Sequence, residues 1–280
     1  MYLPRLDKDV NFLNEHTWIM GIMNITPDSF SDGGKYFSEE GIRNQTQRML
    51  DEQVDVIDVG GESTRPGHTP TTVTEELERV IPAIQLIREI SQDVIISVDT
   101  WKADVARAAL QAGADIINDQ WAATREPKIA KVCAEFNAPL ILMHNREEYV
   151  PYKDVMAEMK VDLQKSIDIA LEQGMEREQL LVDPGVGFVK SPDENVEAIS
   201  RLSELRDLGL PILLATSRKR FIGTLLNEVS ADRRDIGTAA TTTAGILNGG
   251  ADMVRVHNVK VNKEAALVAD AIKEGKMTNV

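Results

Sequence analysis

Residues 18–34 read W-I-M-G-I-M-N-I-T-P-D-S-F-S-D-G-G, and the change of character at Asn24 decides how the rest of the chain is read. Before Asn24, the residues Trp18, Ile19, Met20, Ile22 and Met23 form a continuous apolar run, as a buried strand requires. After it come turn formers, the carboxylates Asp28 and Asp32, a single aromatic, Phe30, and the pair Gly33-Gly34. Such a loop packs poorly, but its composition suits a mobile lid that closes on a ligand.

The same transition recurs down the chain. Val54 to Val59 ends in G-G-E-S-T-R-P-G (60–67), and Val94 to Val98 delivers Asp99. Ala114 to Ile117 delivers Asn118 and Asp119, Pro139 to Met143 delivers His144, and Leu180 to Val182 delivers Asp183 at the head of D-P-G-V-G-F-V-K. Pro211 to Ala215 then delivers T-S-R-K-R (216–220), and Asp252 to Val254 delivers Arg255 and His257. Helical periodicity fills the intervals. One helix starts at Glu39; a second, capped by Thr74, is either kinked or restarted by Pro82; a third is capped by Thr100 and closed by Gly113. Others run through Cys133, from Val155 to Leu171, from the Ser191-Pro192 start along Val196, Ile199, Leu202 and Leu205 to Gly209, from Asp235 to Leu247, and through Ala265 to Ile272.

Eight strand-then-helix units without a composition break predict parallel strands closed into a (β/α)8 barrel, one α/β domain spanning residues 1–280 with a short N-terminal extension. The extension either caps the barrel floor or pairs as a hairpin. An open doubly wound sheet is the alternative, but no G-x-G-x-x-G opens a helix. An internal echo, G-A-D-I-I (113–117) against G-A-D-M-V (250–254), supports repetition.

No apolar run reaches the roughly 18 residues of a membrane span, and the N-terminus lacks an apolar signal region, so a soluble cytoplasmic protein is expected. The single cysteine, Cys133, falls on an apolar helical face and reads as a core thiol. A net charge of −14 and a pI near 4.8 argue against nucleic acid as partner. Any anionic ligand must be held by cations placed locally.

In a (β/α)8 barrel the loops after the strands share one face, so Asn24, Thr64, Asp99, Asn118, His144, Asp183, Lys219, Arg255 and His257 converge there. Singly, Asp99 could serve a helix cap and Arg255 a surface ion pair; together, at successive strand ends, they read as a site. Arg255, His257 and Asn24 could hold an anion, with a neutral amide oxygen available to Mg²⁺ beside phosphate. Asp99, Asn118 and Asp183 suit a flat heterocycle rich in N–H and C=O groups, and Lys219 can donate to it. No His/Cys cage and no convincing nucleophile is present.

On these residues the chain resembles the dihydropteroate synthases. The resemblance runs from about Trp18 to the last helix and is carried by residues 21–34, D-V-G-G-E-S-T-R-P-G (58–67), S-V-D-T (97–100), I-N-D (117–119), L-M-H (142–144), D-P-G-V-G-F (183–188), S-R-K-R-F-I-G (217–223) and R-V-H (255–257). It implies condensation of (7,8-dihydropterin-6-yl)methyl diphosphate with 4-aminobenzoate in folate biosynthesis, by an SN1-like path, in a Mg²⁺-assisted homodimeric enzyme of the class that sulfonamides target. By position, Asp183, Asn118 and Lys219 would grip the pterin, with Met143 packing beside it and Asp99 near the ring nitrogen that gains charge. Arg255, His257 and Asn24 with Mg²⁺ would take the diphosphate. Thr64, Arg65 and Pro66, with Asp28, Phe30 and Asp32, would close over the leaving group and, with Phe188 and Lys219, build the aminobenzoate pocket. Asp99, Lys219, Asp28 and Asp32 are the residues so implied in the chemical step.

Departures from that pattern are Arg220 where Ser is expected, Asn258 where Asp is, Val189 where a small residue is, and the glycine-poor 120–126 segment. Methyltetrahydrofolate-corrinoid methyltransferases resemble this family in fold and pterin site, but they bind no diphosphate; a pterin-binding paralogue without catalysis would show damage in the first two loops.

Overall fold

The computed structural model describes residues 1–13, 16–25, 39–62 and 71–277. Its sheet has eight strands: β1 (Trp18–Asn24), β2 (Val56–Gly60), β3 (Ile95–Asp99), β4 (Ile116–Asp119), β5 (Leu140–Met143), β6 (Leu180–Asp183), β7 (Leu213–Leu214) and β8 (Met253–Val256). Each of β1 to β5 pairs in parallel with the next, and β8 lies between β7 and β1. The circle closes where Val182 bridges Ile212 and its N–H donates to the Pro211 carbonyl at 3.0 Å. The expected barrel is therefore present.

Alternation along the strands divides their side chains between helices and lumen. Ile57, Val59, Ile96, Val98, Ile117, Leu140, Leu142 and Val182 pack outward with the helices. Met20, Val56, Ile95, Ile116, Ile141, Leu181, Leu213 and Met253 form a separate apolar layer inside the lower barrel. Leu3, Val10 and Phe12 plug this layer from below, and residues Tyr2–Leu3 pair antiparallel with Lys8–Asp9. The extension is thus both hairpin and floor.

The echo at Asp115 and Asp252 has a structural cause. Asp115 Oδ2 accepts from the Ile96 N–H, and Asp252 Oδ2 accepts from the Ile212 N–H, both at 2.8 Å. Asp55 does the same for Ile19. Each carboxylate satisfies a backbone donor at the foot of the neighbouring strand.

The helices are α1 (Glu39–Asp51), α2 (Val73–Ile90), α3 (Ala103–Ala112), α4 (Lys128–Phe136), α5 (Val155–Glu172), α6 (Pro192–Ser200), α7 (Arg220–Leu225), α8 (Asp235–Leu247) and α9 (Val259–Glu274). Three expectations need correction. Thr72, not Thr74, caps α2, in a reciprocal capping box with Glu75, and α2 runs through Pro82 without interruption. Thr100 does not cap α3; its hydroxyl accepts from the Lys102 N–H at 3.3 Å, before the helix begins. The apolar face expected on one helix up to Gly209 is split between α6 and a 3₁₀ helix, Leu202–Leu208, and Val196 is exposed. No helix among the described residues is long and apolar enough to cross a membrane.

Candidate active site

Two residues beyond the apolar lumen layer, the same inward phase delivers Asp58, Ser97, Asn118, Met143, Asp183 and Arg255. Strand register places Asn24 beside Gly60, Gly60 beside Asp99, and Asp99 beside Asn118. The site is thus the polar continuation of the barrel's own interior, and strand pairing sets its spacing.

Arg255 is its hub. Its Nε donates to Asp58 Oδ2 at 2.6 Å and its Nη2 to Asp99 Oδ2 at 2.8 Å. Asn118 Nδ2 approaches the same Asp58 oxygen at 3.4 Å. Asp58 is fully buried, and among the described residues its Oδ1 and the neighbouring Ser97 Oγ have no hydrogen-bond partner. Burial pushes the Asp99 carboxyl up to about 7, against the pull of Arg255 and with a further push from Asp58. Its proton is therefore mobile near neutrality.

Across the mouth, Asp183 Oδ1 accepts from the Gly185 N–H at 2.7 Å, and burial raises this carboxyl to about 6. Lys219 comes from the loop after β7. Its stem lies over Gly187, where a Cβ would stand 2.8 Å from Lys219 Cδ, and its ammonium sits 4.1 Å from the Phe188 ring centroid. Burial and the nearby Arg255 bring Lys219 down to about 8, while Asp183 and Asp99 oppose that shift. Met143 is buried at the end of β5.

His257 is held by Ser217, whose Oγ accepts the His257 backbone N–H at 3.0 Å and lies 2.8 Å from the ring Nδ1. Burial, Arg218 and Arg255 hold this imidazole down to about 3. Arg218 itself is engaged by Asp235 through two bonds of 2.7 and 3.0 Å. Asn258, where Asp was expected, donates to Asp235 and accepts from Val261 N–H as the cap of α9.

His144 does not join the site. Alternation points Met143 inward and His144 outward, where its ring meets Lys190 at 2.9 Å and Asp162 at 3.3 Å. Asp28, Phe30, Asp32, Thr64, Arg65 and Pro66 lie outside the described residues. The described ends of the second loop are tethered: Arg79 donates to the Gly61 carbonyl at 2.8 Å, and buried Lys102 pairs with Glu62 and Glu76. Sequence reasoning missed Asp58, Ser217 and Lys190. For Asp58 a signal existed, since it lies two residues from Val56, in phase with the lumen.

No group of three His, Cys, Asp or Glu side chains among the described residues could hold a metal ion by itself. Asn24 Oδ1 nonetheless lies 3.1 Å from where a Cβ at position 60 would stand, and glycine there leaves that space open. That amide oxygen fits a Mg²⁺ that takes its other oxygens from phosphate and water.

The profile of the family described as pterin binding enzyme matches residues 20–257. A dihydropteroate synthase of Bacillus subtilis is 48% identical over 258 residues, covering 92% of this chain and 89% of that protein. The crystal structure of a Clostridium difficile dihydropteroate synthase in the presence of pteroic acid superposes with a TM-score of 0.88 at 45% identity, over 92% of this chain and 97% of the other. That of Xanthomonas albilineans with 4-aminobenzoic acid gives 0.87 at 40% identity, over 92% and 94%. With a polar row on the inner strand ends, a cationic hub at Arg255 and this extent of likeness, the chain belongs to the pterin binding enzyme family, among its dihydropteroate synthases.

Proposed function

We infer that this chain condenses (7,8-dihydropterin-6-yl)methyl diphosphate with 4-aminobenzoate, releasing 7,8-dihydropteroate and diphosphate, in folate biosynthesis. The observation that carries this reading is the row of lumen groups Asn118, Asp183 and Asp99, facing Lys219 on one side and Arg255 on the other. Solved relatives include one with 4-aminobenzoic acid and one in complex with 7,8-dihydropteroate, a substrate and the product of this reaction.

The chemistry of the residues fits that reaction. Asp183 and Asn118 offer acceptor and donor atoms to the pterin edge, and Lys219 donates to its ring. As the methylene–oxygen bond breaks, diphosphate leaves with the electron pair, and Arg255 with the His257 imidazole receives the charge. Asp99 lies where the ring gains positive charge, and its carboxylate stabilises the cation. The aniline nitrogen then bonds to the methylene and loses its proton. A bound Mg²⁺ would neutralise the diphosphate, with Asn24 as its protein ligand. Asp28, Asp32, Phe30, Thr64, Arg65 and Pro66 are proposed to close over the leaving group.

The test is diphosphate release from the pterin substrate, with and without 4-aminobenzoate and Mg²⁺, checked for dihydropteroate. Coupled release is expected, and chelation should abolish it. Pterin binding without release would move the chain to the methyltransferase or paralogue reading; undiminished turnover in chelator would remove the metal.

We also propose a cytoplasmic homodimer. Ile236, Val268, Ile272 and Leu247 on α8 and α9 are exposed, an apolar outer face of the kind a second copy covers. Sedimentation equilibrium should give twice the chain mass, and a monomer at micromolar concentration would exclude it.

A further inference from the structure

The loop after β6 reads P-G-V-G-F-V (184–189), and it presents both Phe188 and the glycine on which the Lys219 stem rests. Loops rich in glycine do not hold one shape unaided. Here the backbone is fixed from several sides. Lys190 Nζ donates to the Gly185 carbonyl at 3.1 Å and to the Phe188 carbonyl at 3.3 Å, and it meets His144 Nδ1 at 2.9 Å. Asn195 Oδ1 accepts from the Gly187 N–H at 2.6 Å, and Tyr152 Oη donates to the Val189 carbonyl at 3.3 Å. Val189 itself has φ +39°, a left-handed conformation that a β-branched residue adopts only when its surroundings impose it.

We propose that Lys190 is a positioning residue for the aminobenzoate half of the reaction: by bridging Gly185, Phe188 and His144 from inside the loop, it fixes the Phe188 ring against Lys219. The ammonium has three donors and finds three acceptors, so each N–H is used within the loop and its base. His144 is the fixed end of the bridge. It is 2% exposed, burial holds it down to about 4, and Asp162 takes its other ring nitrogen, so Nδ1 stays free to accept. This gives the outward-facing His144 a role that its place at a strand end did not reveal. Asp183 depends less on the bridge, because its bond from the Gly185 N–H and its place on β6 are set by the strand. Aminobenzoate recognition should therefore suffer more than pterin recognition.

The inference rests on the assignment of Phe188 and Lys219 to the aminobenzoate pocket, and the experiment separates the two. Lys190→Met keeps the stem and removes the donors. Burial lowers the Lys190 ammonium to about 7, so the comparison is made at pH 6.5, where Lys190 is mostly charged and Asp183 mostly ionised; the variant's KM for 4-aminobenzoate should rise tenfold or more, with kcat and the calorimetric Kd for a bare pterin within threefold of wild type. Phe188→Ala should raise the same KM, and the double variant should be no worse than Phe188→Ala, because Lys190 acts through that ring. If Phe188→Ala leaves the KM unchanged, the pocket assignment fails and the inference with it. If Phe188→Ala raises the KM and Lys190→Met does not, or if Lys190→Met weakens pterin and aminobenzoate equally, the inference alone is overturned. Should Lys190→Met not fold, His144→Gln serves instead. It keeps a donor toward Asp162 but removes the acceptor at which the bridge ends, and a KM for 4-aminobenzoate raised at least threefold is expected, whereas an unchanged KM overturns the inference.

Discussion

Asp99 stands between two opposing demands. Burial disfavours its ionised form and raises it to about 7, although Arg255 donates to it at 2.8 Å. Asp58 adds a like charge on the same guanidinium. A folded-state pKa above the unfolded value means that ionisation weakens the fold, so stability is lost as pH rises from about 4 through about 7. Asp99→Asn has no such loss. In the ligand-free protein it should match wild type near pH 4 and exceed it by about 1–3 kcal/mol at pH 8, a stabilising change that abolishes turnover. Urea denaturation of both proteins across that range is the check, and a constant difference would contradict the assignment. Asp99 was legible because it ends an apolar strand. Asp58, its equal on Arg255, was not, because it sits inside the Val54 to Val59 run and was counted with the strand. Only the two-residue phase from Val56 marks it, and that phase is readable once the lumen side is known.

Element by element, what could be read depended on how local the signal was. Ser191-Pro192 announced α6 through a capping box with Glu194, which involves only four residues. The same logic was available at α2, where Thr72 and Glu75 have the T-x-x-E spacing. The run T-P-T-T-V-T (69–74) offers several hydroxyls, and only Thr72 stands three residues before a glutamate. Helix α7, only Arg220–Leu225, is too short for apolar periodicity to declare it, so it passed as connection. Its start directly after Lys219 stiffens the segment from which that side chain projects. The loop 184–189 shows the opposite limit. Its glycines and Lys190 were visible in sequence, but the bonds from Lys190, Tyr152 and Asn195 that fix it join three separate elements. No spacing rule contains them.

For the whole molecule, closing eight strands into a barrel demands that the floor hold as well as the mouth, and here the two ends carry separate duties. The repeated G-A-D echo was seen as repetition, but its purpose emerges only when neighbouring strands are paired: the aspartates satisfy backbone donors at strand feet. At the seam, β7 has only two residues and meets β6 through a single bridge. Asp252 reinforces it, accepting from Ile212 N–H while Arg206 grips both of its oxygens at 2.6 and 2.7 Å. Asp252→Ala leaves a buried N–H and a guanidinium without their acceptor, at a cost of about 2–4 kcal/mol. Asp115 is more buried and serves Arg5, Arg88 and Ile96 N–H together, so Asp115→Ala should cost more. Both variants should lower the urea midpoint in that order, while kcat at 25 °C in the folded protein stays within about twofold of wild type, since the affected groups lie at the opposite barrel end from Arg255. A large kcat loss at full folding would mean that the floor and the mouth are mechanically coupled through the strands, and the separation of duties would have to be abandoned.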